Sequence, residues 1–112
     1  MLSKINRLIK KKDFEKLFKK GTSFKHSFLI LKITQNNLKE SRFGFIISKK
    51  VSKKATLRNK IKRRIRDTVR QNIKDIKKGV DAVLIVLPGL EKKNFLETKE
   101  ILNTLLKKSN LI

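Results

Sequence analysis

Apolar residues recur along this chain in two rhythms. In residues 9–20, Phe14, Leu17 and Phe18 fall at i, i+3 and i+4 among lysines. That spacing predicts a short amphipathic helix, with Gly21 placed to close it. Residues 27–34 (Ser-Phe-Leu-Ile-Leu-Lys-Ile-Thr) and 42–48 (Arg-Phe-Gly-Phe-Ile-Ile-Ser) are β-branched and apolar or aromatic, and predict two strands. In the second, Phe43, Phe45 and Ile47 share one face, and Gly44, Ile46 and Ser48 the other. The polar residues 35–41 between them read as a turn, so the two strands are expected to form an antiparallel hairpin.

Leu57, Ile61, Ile65 and Val69 then recur every fourth residue, with Ile73 and Ile76 beyond. They predict a helix over about 56–73 with Thr56 as its N-cap. At roughly 100° per residue, Asn59, Arg63, Arg66 and Arg70 fall on the side opposite this apolar stripe. One face is thus built for a core and the other is a row of arginines, with Arg58 and Lys62 on the border. After Gly79, residues 80–87 are apolar at nearly every position, the pattern of a strand covered on both faces. Pro88-Gly89 ends it. Asn94 with Glu97 resembles a capping box opening a helix over 95–107. The expected order is helix, two or three strands, helix, strand, helix. The strand–helix–strand passage from 42 to 87 implies a crossover between parallel strands. There is no internal repeat and no linker, and the length of 112 residues suits a single domain over 1–112.

Charge changes the picture from fold to function. Lys and Arg number 31 against 9 Asp and Glu, a net charge of +22. Residues 49–70 alone carry eleven basic residues and one acidic, nearly half of the net charge in 22 positions. Like charges three and four apart on a helix repel unless an anion neutralises them, and the guanidinium fork fits phosphate two bonds at a time. The cluster therefore reads as the footprint of a polyanion. A strand, not a first helix, precedes it, which argues against a helix-turn-helix on DNA. Phe-bearing strands beside a basic helix fit single-stranded or folded RNA better. Gly44 is expected to leave room on the sheet for a backbone to approach.

Candidate chemistry is sparse. His26 is the one histidine; Cys and Tyr are absent. No zinc-protease, nucleophile-elbow or P-loop motif occurs, and no cluster of carboxylates suits a two-metal nuclease. No apolar run approaches the roughly 18 residues of a membrane span, and the first residues lack the pattern of a signal peptide. A chain without Cys fits a reducing cytoplasm. Two readings stay open on these grounds: a plain RNA-binding or ribosomal protein, and a nonspecific DNA-compacting protein.

Specific motifs narrow this. Arg58-Asn59-Lys60-Ile61-Lys62-Arg63-Arg64-Ile65-Arg66 resembles the R-N-x-x-K-R-x-x-R signature of the bacterial ribonuclease P protein subunit. Arg42 to Val51 resembles that family's R-x-G-x-x-x-S-K-K-V stretch, and Asp13-Phe14, Phe18 and Gly21 its D-F-x-x-x-F-x-x-G opening. Asp81 before an apolar strand fits too. The turn Ser52-Lys53-Lys54-Ala55-Thr56 departs from the family's usual Gly-containing one, and the first long strand is aliphatic where the family often has an aromatic.

The resemblance implies an α+β sandwich, α-β-β-(β)-α-β-α, of the ribosomal protein S5 domain 2 type, with a left-handed β-α-β crossover. It implies an accessory subunit of an endoribonuclease that removes the 5′ leader of precursor tRNA. The catalytic RNA would hold the Mg2+ and perform the hydrolysis, so no catalytic residue is expected in the protein. Ribonuclease P RNA and precursor tRNA would be the partners, with no membrane and no protein partner required. Arg58, Asn59, Lys62, Arg63, Arg66 and Arg70, with Lys49 and Lys50, would contact the catalytic RNA. Phe14, Phe18, Ile46 and Ser48 would line a cleft for the single-stranded leader.

Overall fold

The structure is a computed structural model that describes residues 2–112. Helix α1 (Lys11–Lys20) is followed by strands β1 (Thr22–His26), β2 (Leu29–Gln35) and β3 (Arg42–Ile47). Helix α2 (Ala55–Asn72), strand β4 (Val80–Val86) and helix α3 (Phe95–Lys108) complete the order. The strands form one sheet in the order β1-β2-β4-β3. β2 is antiparallel to both β1 and β4, whereas β3 runs parallel to β4. The expected crossover from β3 through α2 to β4 is therefore present.

The expected hairpin between 27–34 and 42–48 is not. Its two strands are separated by β4, and β2 instead forms its hairpin with β1, turning at Ser27 with φ 55°. The reason lies in β4, six of whose seven residues are buried. A strand apolar on both faces gains most at the centre of a sheet, with neighbours on both edges. Residues 36–41 consequently pass the start of β4 instead of turning tightly. Asn36 holds them there, its side-chain amide donating to the Glu40 carbonyl (3.0 Å) and to Asp81 Oδ1 (2.9 Å).

Two cores flank the sheet. The larger joins Leu29, Leu31, Phe43, Ala82, Leu84 and Val86 to Ile61, Ile65 and Val69 of α2 and Leu102, Leu105 and Leu106 of α3. Burying each such side chain contributes about 1.5–3 kcal/mol. The smaller joins Leu8, Leu17 and Val83, with Phe14, Ile46 and Ile85 packed against them, under α1 on the opposite face. The two faces of β3 divide as its alternation predicts: Phe43, Phe45 and Ile47 join the larger core and Ile46 the smaller. Ahead of α1, the chain covers the outer edge of β3. The Leu8 amide donates to the Phe43 carbonyl (2.9 Å), and Arg7 bridges to Phe43.

Helix ends are mixed. The capping box forms: Asn94 accepts from the Glu97 amide at 2.8 Å, and Glu97 accepts from the Asn94 amide at 3.1 Å. Thr56 is not an N-cap. α2 begins one residue before it, with Lys54 at the cap position and no side-chain hydrogen bond there. Gly21 does close α1, in an extended conformation, its amide donating to the Leu17 carbonyl at 2.8 Å.

Candidate nucleic-acid interface

α2 is held to the sheet by its apolar stripe, so its opposite side must face outward. Asn59, Arg63 and Arg70 are exposed there, and Lys62 and Arg66 are half-buried. Asn59, Lys62, Arg63, Arg66 and Asp67 line a groove of about 460 Å³. Arg66 is steadied by Phe45, its guanidinium carbon lying 5.8 Å from the ring centroid, within the range of a cation–π contact. Arg58 Nη1 donates to the Ser52 carbonyl at 2.8 Å, tying the helix to the basic turn before it. In that turn Lys49 and Lys50 are exposed, and the Ser48 hydroxyl accepts from the Lys50 amide at 3.2 Å. The one carboxylate on the row, Asp67, lies 3.9 Å from Arg70, an exposed pair that removes little of the positive charge.

Of the second set of predicted residues, Phe14, Phe18 and Ile46 lie on the other face, while Ser48 follows the end of β3 in the basic turn. Strand register sets Ile46, Ile85, Ile30 and Lys25 side by side in one row across all four strands. The next row is Gly44, Val83, Lys32 and Ser23, and α1 crosses here. Gly44 leaves room, but for a side chain of this chain: a Cβ there would lie 2.6 Å from Cε1 and Cζ of Phe14. The Phe14 ring thus fills the place where a backbone was expected to approach. One turn on, Leu17 is fully buried, and Phe18 is 43% exposed with Lys32 Nζ 5.2 Å from its ring centroid. Phe18, Lys32 and the half-buried isoleucines of the neighbouring row leave this face partly apolar and partly open beside α1.

The structure therefore does not gather the predicted residues into one patch. It places the arginine row and the Phe14–Phe18 groove on opposite faces of the sheet. They approach each other at the edge of β3, where Phe14, Gly44, Phe45, Lys62 and Arg66 line a recess of about 210 Å³ together with Arg7. Arg7, Phe45 and Lys32 were not singled out from the sequence. Lys32 carried a usable signal, being the one charge inside an apolar strand. His26 lines a different recess with Ser27, Lys93, Glu97 and Glu100, which shares no residue with either surface.

Among the described residues, no three His, Cys, Asp or Glu side chains gather into a group able to hold a metal ion, and no helix is long and apolar enough to cross a membrane. What both surfaces offer is cationic and aromatic contact, the chemistry of phosphate neutralisation and base stacking.

Comparisons with known proteins point to one family. The family model described as Ribonuclease P matches residues 2–110. A ribonuclease P protein component from Pseudanabaena sp. is 36% identical over 113 residues, covering 100% of this chain and 97% of that protein. One from Synechocystis sp. is 40% identical over 103 residues, covering 88% and 83%. Among solved structures, the RNase P protein of Staphylococcus aureus superposes with a TM-score of 0.89 at 29% identity, covering 95% of this chain and 96% of that one. That of Thermotoga maritima gives 0.83 at 35% identity, covering 91% and 96%.

Proposed function

Because the chain belongs to the ribonuclease P protein family, the protein component of the enzyme that matures the 5′ ends of tRNAs, we propose that it works as an adaptor between two RNAs. The observation that carries this reading is the placement of two differently built surfaces on opposite faces of one sheet. The arginine row of α2, Arg58, Asn59, Lys62, Arg63, Arg66 and Arg70 with Lys49 and Lys50, docks on the ribonuclease P RNA. Its forked donors neutralise phosphates of a folded RNA, and the large core behind α2 holds them in fixed register. The groove of Phe14, Phe18, Ile46 and Ser48 takes the single-stranded leader of the precursor tRNA. Aromatic and aliphatic floors accept any base, so the groove suits leaders of many sequences.

In this reading the RNA performs the hydrolysis, with Mg2+ held mainly by its own phosphates. The protein contributes position. It holds the leader against the ribozyme and converts a separate encounter into an intramolecular one. Its positive field lowers the repulsion between two polyanions brought together.

The test is reconstitution: the protein, a transcribed bacterial ribonuclease P RNA and a precursor tRNA at low Mg2+. Cleavage at the 5′ junction that needs both protein and RNA, with the protein alone inert, is the expected result. Tight binding of the RNA with cleavage unchanged would reduce the protein to a general RNA binder.

A further inference from the structure

Arg42 lies outside both surfaces, yet it joins the elements that frame the groove. Its Nε donates to Asp81 Oδ1 at 2.8 Å and its Nη2 to Asp81 Oδ2 at 2.7 Å, a two-pronged pair at the start of β4. Its Nη1 reaches Asp13 Oδ2 of α1 at 3.3 Å. Asp81 is buried, and the Asn36 amide donates to it as well, so this end of the network is fixed. Arg42 thus makes ion pairs to two other elements, α1 and β4. In a chain with 31 basic and 9 acidic residues, a carboxylate facing the substrate side works against RNA binding. Asp13 is such a carboxylate, and it is spent on an internal partner.

The consequence is geometric. Asp13 is in the first turn of α1; Phe14, next to it, rests on Gly44; Leu17 is buried; Phe18 is exposed beside Lys32. Phe14 and Leu17 seat α1 on the sheet through apolar contact, and the Asp13–Arg42 pair adds a directional, charged contact at its first turn.

We propose that Arg42, anchored on Asp81, is a positioning residue for the leader: through Asp13 it helps to fix the setting of α1 and so the place of Phe18 beside Lys32. This rests on the leader-groove reading above. Arg42 itself touches no RNA.

Asp13→Asn tests it, because it releases α1 while leaving the buried Arg42–Asp81 pair intact. In the reconstituted holoenzyme, Kd is measured for precursor tRNA with a leader and for the same tRNA without one. Asp13→Asn is expected to weaken the first about fivefold, the weight of one half-exposed ion pair, and to leave the second and the affinity for the ribonuclease P RNA within about twofold. Combined with Phe18→Ala it should add little, because both act through the same ring. Fully additive losses, or wild-type binding by Asp13→Asn while Phe18→Ala binds weakly, would overturn the positioning role and leave the groove standing. Wild-type binding by both variants would remove the groove and the positioning role together.

Discussion

Replacing Phe18 with Ala separates binding from folding more cleanly than any other change in the groove. A fully buried Phe costs about 3–5 kcal/mol when cut to Ala. Phe18 keeps 43% of its surface in solvent, so roughly half of that, about 1.5–2.5 kcal/mol, is expected. Phe14 is the poorer probe, since its ring occupies the space above Gly44 and its loss leaves a hole between α1 and the sheet. For RNA, one base stacked on an aromatic ring is worth about 1–3 kcal/mol. Lys32 already lies over one side of the Phe18 ring, so a single face remains for a base, and the lower half of that range applies. A tenfold loss, about 1.4 kcal/mol, is expected in the holoenzyme's affinity for leader-bearing precursor tRNA. Binding titrations at fixed salt, against the same tRNA lacking its leader, isolate the effect; a thermal melt of the free protein controls for folding. An equal loss for both substrates, or no loss for either, would refute the assignment of Phe18 to the leader.

Other consequences follow from the same geometry. Arg63→Ala should weaken binding to the ribonuclease P RNA and lower the slope of log K against log salt by about one; an unchanged slope would remove Arg63 from that interface. Sulfate or phosphate should raise the melting temperature of the free protein by about 10 °C at a hundredfold excess over Kd, since either anion relieves the repulsion along α2; a melt insensitive to both would show that the row is not self-repelling. Gly44→Ala forces a methyl group into the Phe14 ring, so a loss of about 1–3 kcal/mol is expected in denaturant titrations, together with weakened leader binding and normal ribozyme binding.

What the sequence revealed depends on which physical constraint each element obeys. α2 was legible because its apolar residues repeat at the helical period and its charges take the other side, and both facts are local. Strand order was not, since periodicity says which face a residue takes and nothing about which strand lies alongside. The apolarity of 80–87 on both faces implied a central strand, and that implication conflicts with a hairpin between 27–34 and 42–48. The tight polar turn at 35–41 prevailed in the prediction, whereas burial decides the structure. β1 is not legible in the sequence, whose optional third strand has no assigned residues and stands after the other two, because Thr22-Ser-Phe-Lys-His carries the polar composition of a sheet edge. The motif residues were found by resemblance, but their division between two faces was not. That division needs the sheet register, which sets Ile46 beside Ile85 while Phe45 turns toward Arg66.

The groove exists because α1 is too slight to cover its face. A helix of ten residues is about 15 Å long, and α1 packs against β2 and β4, with Phe14 on Gly44 of β3, while β1 lies at the far edge of the sheet. Across its axis a helix with side chains is about 10 Å wide, whereas successive same-face rows of a strand lie about 6.7 Å apart. α1 therefore shields the Gly44–Val83 row fully and the Ile46–Ile85–Ile30 row in part, leaving those isoleucines half-buried. On the opposite face two longer helices meet over the sheet and bury nearly all of it. The asymmetry divides the labour. On the proposed reading, the well-covered face fixes a rigid row of cations for an RNA of fixed shape, and the under-covered face keeps apolar floor exposed for a strand of variable sequence. Lengthening α1 or adding a second helix to that face would stabilise the fold by burying the isoleucine row, and would abolish the groove by the same contacts.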